Sequence, residues 1–97
     1  MGSSLKSANF LMESRLRDAR RGDAHALFDL GVAYSTGSGV GLDLVEAHKW
    51  FNLAAVSGLE PAQAARAEVA DEMSAREIAE AQRQARAWLG MTRARAA

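Results

Sequence analysis

Cysteine is absent from all 97 residues, which excludes a disulfide framework and any thiolate metal site and removes the usual indicator of redox compartment. Proline occurs once, at Pro61, and aromatics make up only 6% of the chain. Few chain breakers and abundant alanine suit close-packed helices and argue against a β architecture. No apolar run approaches the roughly 20 residues that span a bilayer, and the opening MGSSLKSANF lacks the apolar stretch of a secretory leader. Lys6 stands where a myristoylation signal takes Ser or Thr. The expectation is a cytoplasmic chain, or a periplasmic one if a leader has been removed. Apolar residues reach 48%, enough for one small domain that buries roughly 60 to 65% of its unfolded surface.

What is present is helical punctuation. Asp43 followed by Glu46 forms a D-x-x-E cap, in which the Asp carboxylate accepts from first-turn amides while the Glu reaches back. Ala47, Trp50, Phe51, Ala54 and Ala55 then recur at i, i+3, i+4, i+7 and i+8 as one apolar stripe, and Gly58 offers a left-handed stop. Upstream, Asp23 caps a helix that carries Leu27, Leu30, Gly31 and Tyr34 on one face. Downstream, Pro61 suits a first helical turn, with Ala62, Ala65, Val69 and Met73 at helical spacing. Ser74 and Glu77 make a second capping box. It opens a helix whose Ile78, Ala81, Ala85, Trp88 and Leu89 share a face before Gly90 is expected to end it. A weaker pattern predicts an N-terminal helix over about Asn9 to Arg21, with Leu16 and Ala19 inward, and the tail from Met91 is expected to fray. Short loops between successive helices predict an all-α chain of antiparallel hairpins.

Between two of these helices lies YSTGSGVGLDLVEAHKW, residues 34–50, with Gly37, Gly39 and Gly41 at alternate positions. A phosphate-binding P-loop needs Lys and then Ser or Thr directly after its glycines, but Gly41 is followed by Leu42 and Asp43. A dinucleotide fingerprint counted from Gly37 and Gly39 meets Leu42 at its third glycine, and the preceding element is helical rather than a strand. The loop reads as a turn in which glycines supply positive φ and Val40 plugs the gap between the helix ends.

Gly22 and Gly58 lie 36 residues apart, each just before an alanine-rich helix. Gly22, Ala26, Leu30, Gly31, Tyr34, Gly37, Gly39, Val40, Asp43, Ala47, Trp50, Phe51, Ala54, Ala55 and Gly58 together resemble the Sel-one-like repeat, a relative of the tetratricopeptide repeat. The resemblance implies a short α-solenoid, with Gly31 and Ala54 or Ala55 allowing close helix approach and Leu30, Tyr34, Trp50 and Phe51 filling the space between. It implies four segments: residues 1–21 with a partial-repeat helix, a complete repeat over 22–58, a degenerate second repeat with a capping helix over 59–90, and a flexible basic tail over 91–97. The second unit is degenerate because Arg66 replaces the equivalent of Leu30 and Ala67 the equivalent of Gly31. The closing stretch MSAREIAEAQRQARAWLG is similar to the terminal segment of bacterial repeat proteins, which implies a bacterial source.

Catalytic chemistry finds no support in the residues. His25 and His48 each follow a carboxylate by two positions, Asp23 and Glu46, a spacing that does not set metal ligands on one helix face. No nucleophile elbow or Ser–His pairing occurs. No enzyme activity, cofactor or metal is expected. The net charge of zero hides an uneven distribution: residues 1–21 sum to +3, residues 22–80 to −7 and residues 81–97 to +4. The basic residues are few and not interleaved with aromatics, which disfavours nucleic acid as a partner. The charge separation suits contact between basic ends and acidic middles of neighbouring molecules, or an acidic partner, and salt should weaken either.

In tetratricopeptide-like folds one stripe of the first helix of each repeat lines a concave groove that receives peptides. Here that stripe is His25, Phe28, Val32 and Ser35, with Asp29 beside it. The resemblance thus implies a protein–protein interaction module, an adaptor or scaffold, that binds a peptide or protein partner. Two other readings stay open: a structural piece of a longer solenoid with no partner of its own, and a self-associating small regulator. Solenoid units need about three repeats for stability, so a homodimer through the end helices is expected.

Overall fold

The helix boundaries are made by the capping atoms that the sequence marks. Asp23 Oδ1 accepts from the amides of His25 at 2.9 Å and Ala26 at 3.3 Å. Ser74 and Glu77 close a reciprocal box, the Glu77 amide donating to Ser74 Oγ at 3.1 Å and the Ser74 amide to Glu77 Oε1 at 2.9 Å. A computed structural model describes residues 3–96, with side chains for residues 9–93. Among the described residues the chain forms five helices and no strand: α1 Ser3–Arg20, α2 Ala24–Thr36, α3 Leu44–Val56, α4 Pro61–Ala70 and α5 Ala75–Ala96. The all-α reading holds, and Pro61 opens α4.

Two helix ends repeat each other at the spacing seen in the sequence. Gly22 has φ 85° and its amide donates to Ala19 O, while the Asp23 amide donates to Asp18 O. Thirty-six residues on, Gly58 has φ 96° and donates to Ala55 O, while the Leu59 amide donates to Ala54 O. Both are the same left-handed turn, closed by the same pair of backbone bonds. The glycine loop is a turn as well, with Gly37 at φ 74° and Gly39 at φ 77°.

Three expectations need correcting. α5 does not stop at Gly90 but runs on to Ala96: Gly90 is not left-handed, and no proline or capping residue comes after it to break the helix. An interior glycine costs a helix only about 1 kcal/mol, and Thr92 Oγ1 ties the next turn to Trp88 O at 3.0 Å. The expected frayed tail is therefore helical through Ala96, while Ala97 lies outside the described residues. α1 begins at Ser3, six residues before the expected start at Asn9. At α3, Asp43 accepts from the Glu46 amide at 3.1 Å, but Glu46 does not reach back. The Asp43 amide donates instead to Tyr34 O across the loop, and Glu46 accepts from Trp50 Nε1 at 2.9 Å and Lys49 Nζ at 3.0 Å.

Helix α3 is central. It packs against α2, α4 and α5, while α1 packs on α2. The molecule is flattened, 40 × 36 × 22 Å along its principal axes. One core cluster joins α1, α2, α3, α4 and α5 through Ala19, Leu27, Leu30, Trp50, Ala62 and Ala85. A second places Val69 of α4 on Ala47 and Phe51 of α3. The two tryptophans meet edge to face, Trp50 on Trp88 with centroids 4.8 Å apart, which fastens α5 to α3. At Gly31 a Cβ would sit 2.5 Å from two ring atoms of Phe51, so the absent side chain admits the ring and sets the α2–α3 approach. Among the described residues no helix is long and apolar enough to cross a membrane.

Candidate binding groove

Along α2, Phe28 and Val32 are one turn apart, followed by Ser35 and Thr36 at its C-terminal end. On α4, Ala65, Glu68, Val69 and Glu72 recur at helical spacing, the last just beyond the helix end. Between these walls, Leu44 and Phe51 of α3 form a floor. The result is an open groove of about 360 Å³ whose floor is apolar and whose α4 rim carries two carboxylates.

The structure brings Phe28, Val32 and Ser35 of the expected stripe together in this groove, and leaves His25 and Asp29 outside it. His25 lies in the first turn of α2, short of the groove's end, and Asp29 is exposed on the solvent flank of the helix. Phe28 is also less free than its place in the sequence suggests. It is half-buried, its ring 5.3 Å from that of Phe51, and it packs against both core clusters. Val32 is the apolar side chain the groove presents to solvent, with 38% of its surface exposed. The Ser35 hydroxyl donates back to Val32 O at 3.1 Å, which leaves its lone pairs toward a ligand, while Thr36 Oγ1 lies 2.7 Å from Val32 O and 2.9 Å from Ser38 Oγ and is engaged by both.

Sequence reasoning missed the opposite wall. Ala65 and Val69 read as core, and Glu68 and Glu72 as part of a solvated helix face. A signal was available: adding the 36-residue period to Val32 and Thr36 lands on Glu68 and Glu72. The two walls thus stand 36 residues apart in the chain, one apolar and hydroxylic, the other acidic. Among the described residues neither glutamate takes part in an ion pair, and no Lys or Arg lines the groove.

A second concavity lies at the far side of the core. About 190 Å³ in volume, it is lined by Arg20, Arg21 and Arg93 around Leu27, Leu53 and Trp88. Its charge is opposite to that of the groove.

Two titratable side chains are shifted by their surroundings. His48, on α3, is 3% exposed and its Nδ1 has no partner. Burial, and then the Arg66 charge, lower its pKa from the ordinary 6.5. Arg66 lies across the α3–α4 seam, donating to Asn52 Oδ1 at 3.1 Å and Gln63 Oε1 at 3.3 Å. Burial, and then Glu46 and Asp43, raise the pKa of Tyr34 above its ordinary 10.0. Neither residue lines the groove. Among the described residues no three His, Asp or Glu side chains gather as a metal site. Comparison with protein-family models, with curated proteins and with solved structures finds no significant match to this chain.

Proposed function

We propose that the chain is a non-enzymatic protein–protein interaction module, a short α-solenoid of antiparallel hairpins whose groove between α2, α3 and α4 receives a segment of a partner protein. The observation that carries this reading is the groove itself: an open apolar trough built from faces of α2 and α4, with Val32 exposed in it. The resemblance to Sel-one-like repeats and the repeated glycine turns at Gly22 and Gly58 support it. The test is Val32→Glu, which sets a charge on the trough without touching either core cluster. Partner capture should be lost with helicity unchanged, and capture equal to that of the wild type would sink the proposal. Phe28→Asp is the wrong variant for this purpose, because its ring is packed on Phe51 and the charge would enter the core.

A second reading, compatible with the first, is a homodimer through the end helices. Phe10 is 67% and Leu11 51% exposed on α1, and Met91 is 58% exposed on α5. Such a dimer covers the outer faces of α1 and α5 and leaves the groove open. Light scattering should give twice the chain mass at high concentration, and one chain mass for Phe10→Ser with Leu11→Ser. A wild-type chain that stays at one chain mass contradicts the dimer.

A further inference from the structure

From the charge of the groove we infer the chemistry of its partner: a segment of another protein in which an apolar anchor is flanked by Lys or Arg. The inference rests on the groove being the binding face and adds what fills it.

Three features of the trough point the same way. Its floor is Phe28, Leu44, Phe51 and Val69, so the part of a ligand that enters must be apolar. Among the described residues its charged lining is Glu68 and Glu72, four positions apart on the same wall. Neither is neutralised by an ion pair among the described residues, and each is exposed. Glu68 near the C-terminal end of α4 and Glu72 in the turn beyond Ala70 put two like charges on one rim, where they repel. A ligand cation between them would relieve that repulsion, and an anionic ligand would meet two uncompensated charges. The surroundings reinforce the rim: residues 22–80 sum to −7, and Asp29 and Asp71 are both exposed close to the lining residues in the chain. On the wall opposite the glutamates the Ser35 hydroxyl donates to Val32 O and keeps its acceptor lone pairs, while Thr36 Oγ1 is engaged by both Val32 O and Ser38 Oγ. Acceptors on both walls suit a donor-rich ligand, which Lys and Arg are and Asp and Glu are not. The trough is short and small, about 360 Å³, so it fits a segment with one or two anchor side chains rather than a whole domain face.

The test is selection from a displayed library of short random peptides against the full chain, with Val32→Glu as counter-selection and light scattering as control. Peptides enriched on the wild type should carry an apolar residue with an excess of Lys and Arg around it. Exchanging the rim with Glu68→Lys and Glu72→Lys, both exposed and expected to leave the fold intact, should weaken those peptides about tenfold or more. Raised salt should weaken them on the wild type. Enrichment of acidic or uncharged peptides that Val32→Glu still blocks would overturn the inferred chemistry while leaving the groove standing. Absence of any enrichment over Val32→Glu would overturn the groove and the inference together. Acidic peptides indifferent to Val32→Glu but lost on Arg20→Gln and Arg93→Gln would overturn both by moving binding to the basic concavity. Self-association abolished by Glu68→Lys with Glu72→Lys would make the occupant a second copy, which also overturns it.

Discussion

The same substitution, glycine to alanine, should act in opposite directions at Gly31 and Gly90. Both glycines sit inside helices with no left-handed φ. Each therefore gains about 1 kcal/mol of helix propensity on becoming alanine. At Gly90 nothing lies within 4 Å of the added methyl, so the full gain is expected. At Gly31 the methyl would sit 2.5 Å from Phe51 Cδ1 and Cε1 and 2.9 Å from Cγ. The ring is buried and held by Phe28, Val69 and Ala47, so it cannot withdraw without disturbing the second core cluster. Overpacking of this sort costs about 1 to 3 kcal/mol, which outweighs the propensity gain and leaves a net loss of about 1 kcal/mol. In a domain of this size a change of that order moves the melting temperature by about 4 to 8 °C. Thermal and urea unfolding followed by circular dichroism should place Gly90→Ala above the wild type and Gly31→Ala below it. In a Phe51→Leu background the Gly31→Ala penalty should shrink, since the two sites share one space. A Gly31→Ala variant as stable as Gly90→Ala would refute the claim that this glycine sets the α2–α3 approach.

Trp50→Ala removes a buried ring, its bond to Glu46 and its edge contact with Trp88. A cost of about 3 to 5 kcal/mol is expected in urea titration, a large part of the stability of a domain this small, and a cost under about 1 kcal/mol would contradict the packing described. Because the pKa of His48 is lowered in the folded chain, the unfolded chain binds its proton more readily. Its contribution to stability is full above the unfolded value of 6.5 and is lost as pH falls through the lowered folded value. Unfolding free energy measured against pH should fall below neutrality, and His48→Gln should flatten that slope; an unchanged slope would show that the imidazole is not buried neutral. Tyr34, the sole tyrosine, should reach the midpoint of its phenolate absorbance at a higher pH in the folded chain than in denaturant, above the ordinary 10.0; coincident titrations would contradict its burial.

The helices were legible because their caps are local: Asp23, Asp43, Pro61 and Ser74 act within a few residues of themselves. The two matching helix ends were legible because a left-handed turn favours glycine, at Gly22 and at Gly58. Gly90 misled for the converse reason, since a glycine that ends a helix and one tolerated inside it look alike in sequence, and only the residues C-terminal to it decide. Glu46 misled because its carboxylate had two possible donors, and the Trp50 indole, one turn away and buried, outcompetes a backbone amide already used by Tyr34 O. Of the groove, the α2 wall was visible as a stripe on one helix. Its partner wall required knowing that α2 and α4 face each other across α3, a long-range relation that no local pattern in the α4 sequence announces. The burial of His48 and Leu53 was missed because they lie beside the main stripe of α3, on faces covered only once the neighbouring helices pack against it.

The measurement that bears most directly on the binding face is amide chemical-shift mapping of the labelled chain during titration with a peptide of apolar and basic residues from the selection. Shifts should gather on Val32, Thr36, Leu44, Ala65, Glu68, Val69 and Glu72, and leave Arg20, Trp88 and Arg93 unmoved. Shifts confined to the α1–α5 side, or spread evenly over all five helices, would contradict a groove between α2 and α4 as the site of recognition.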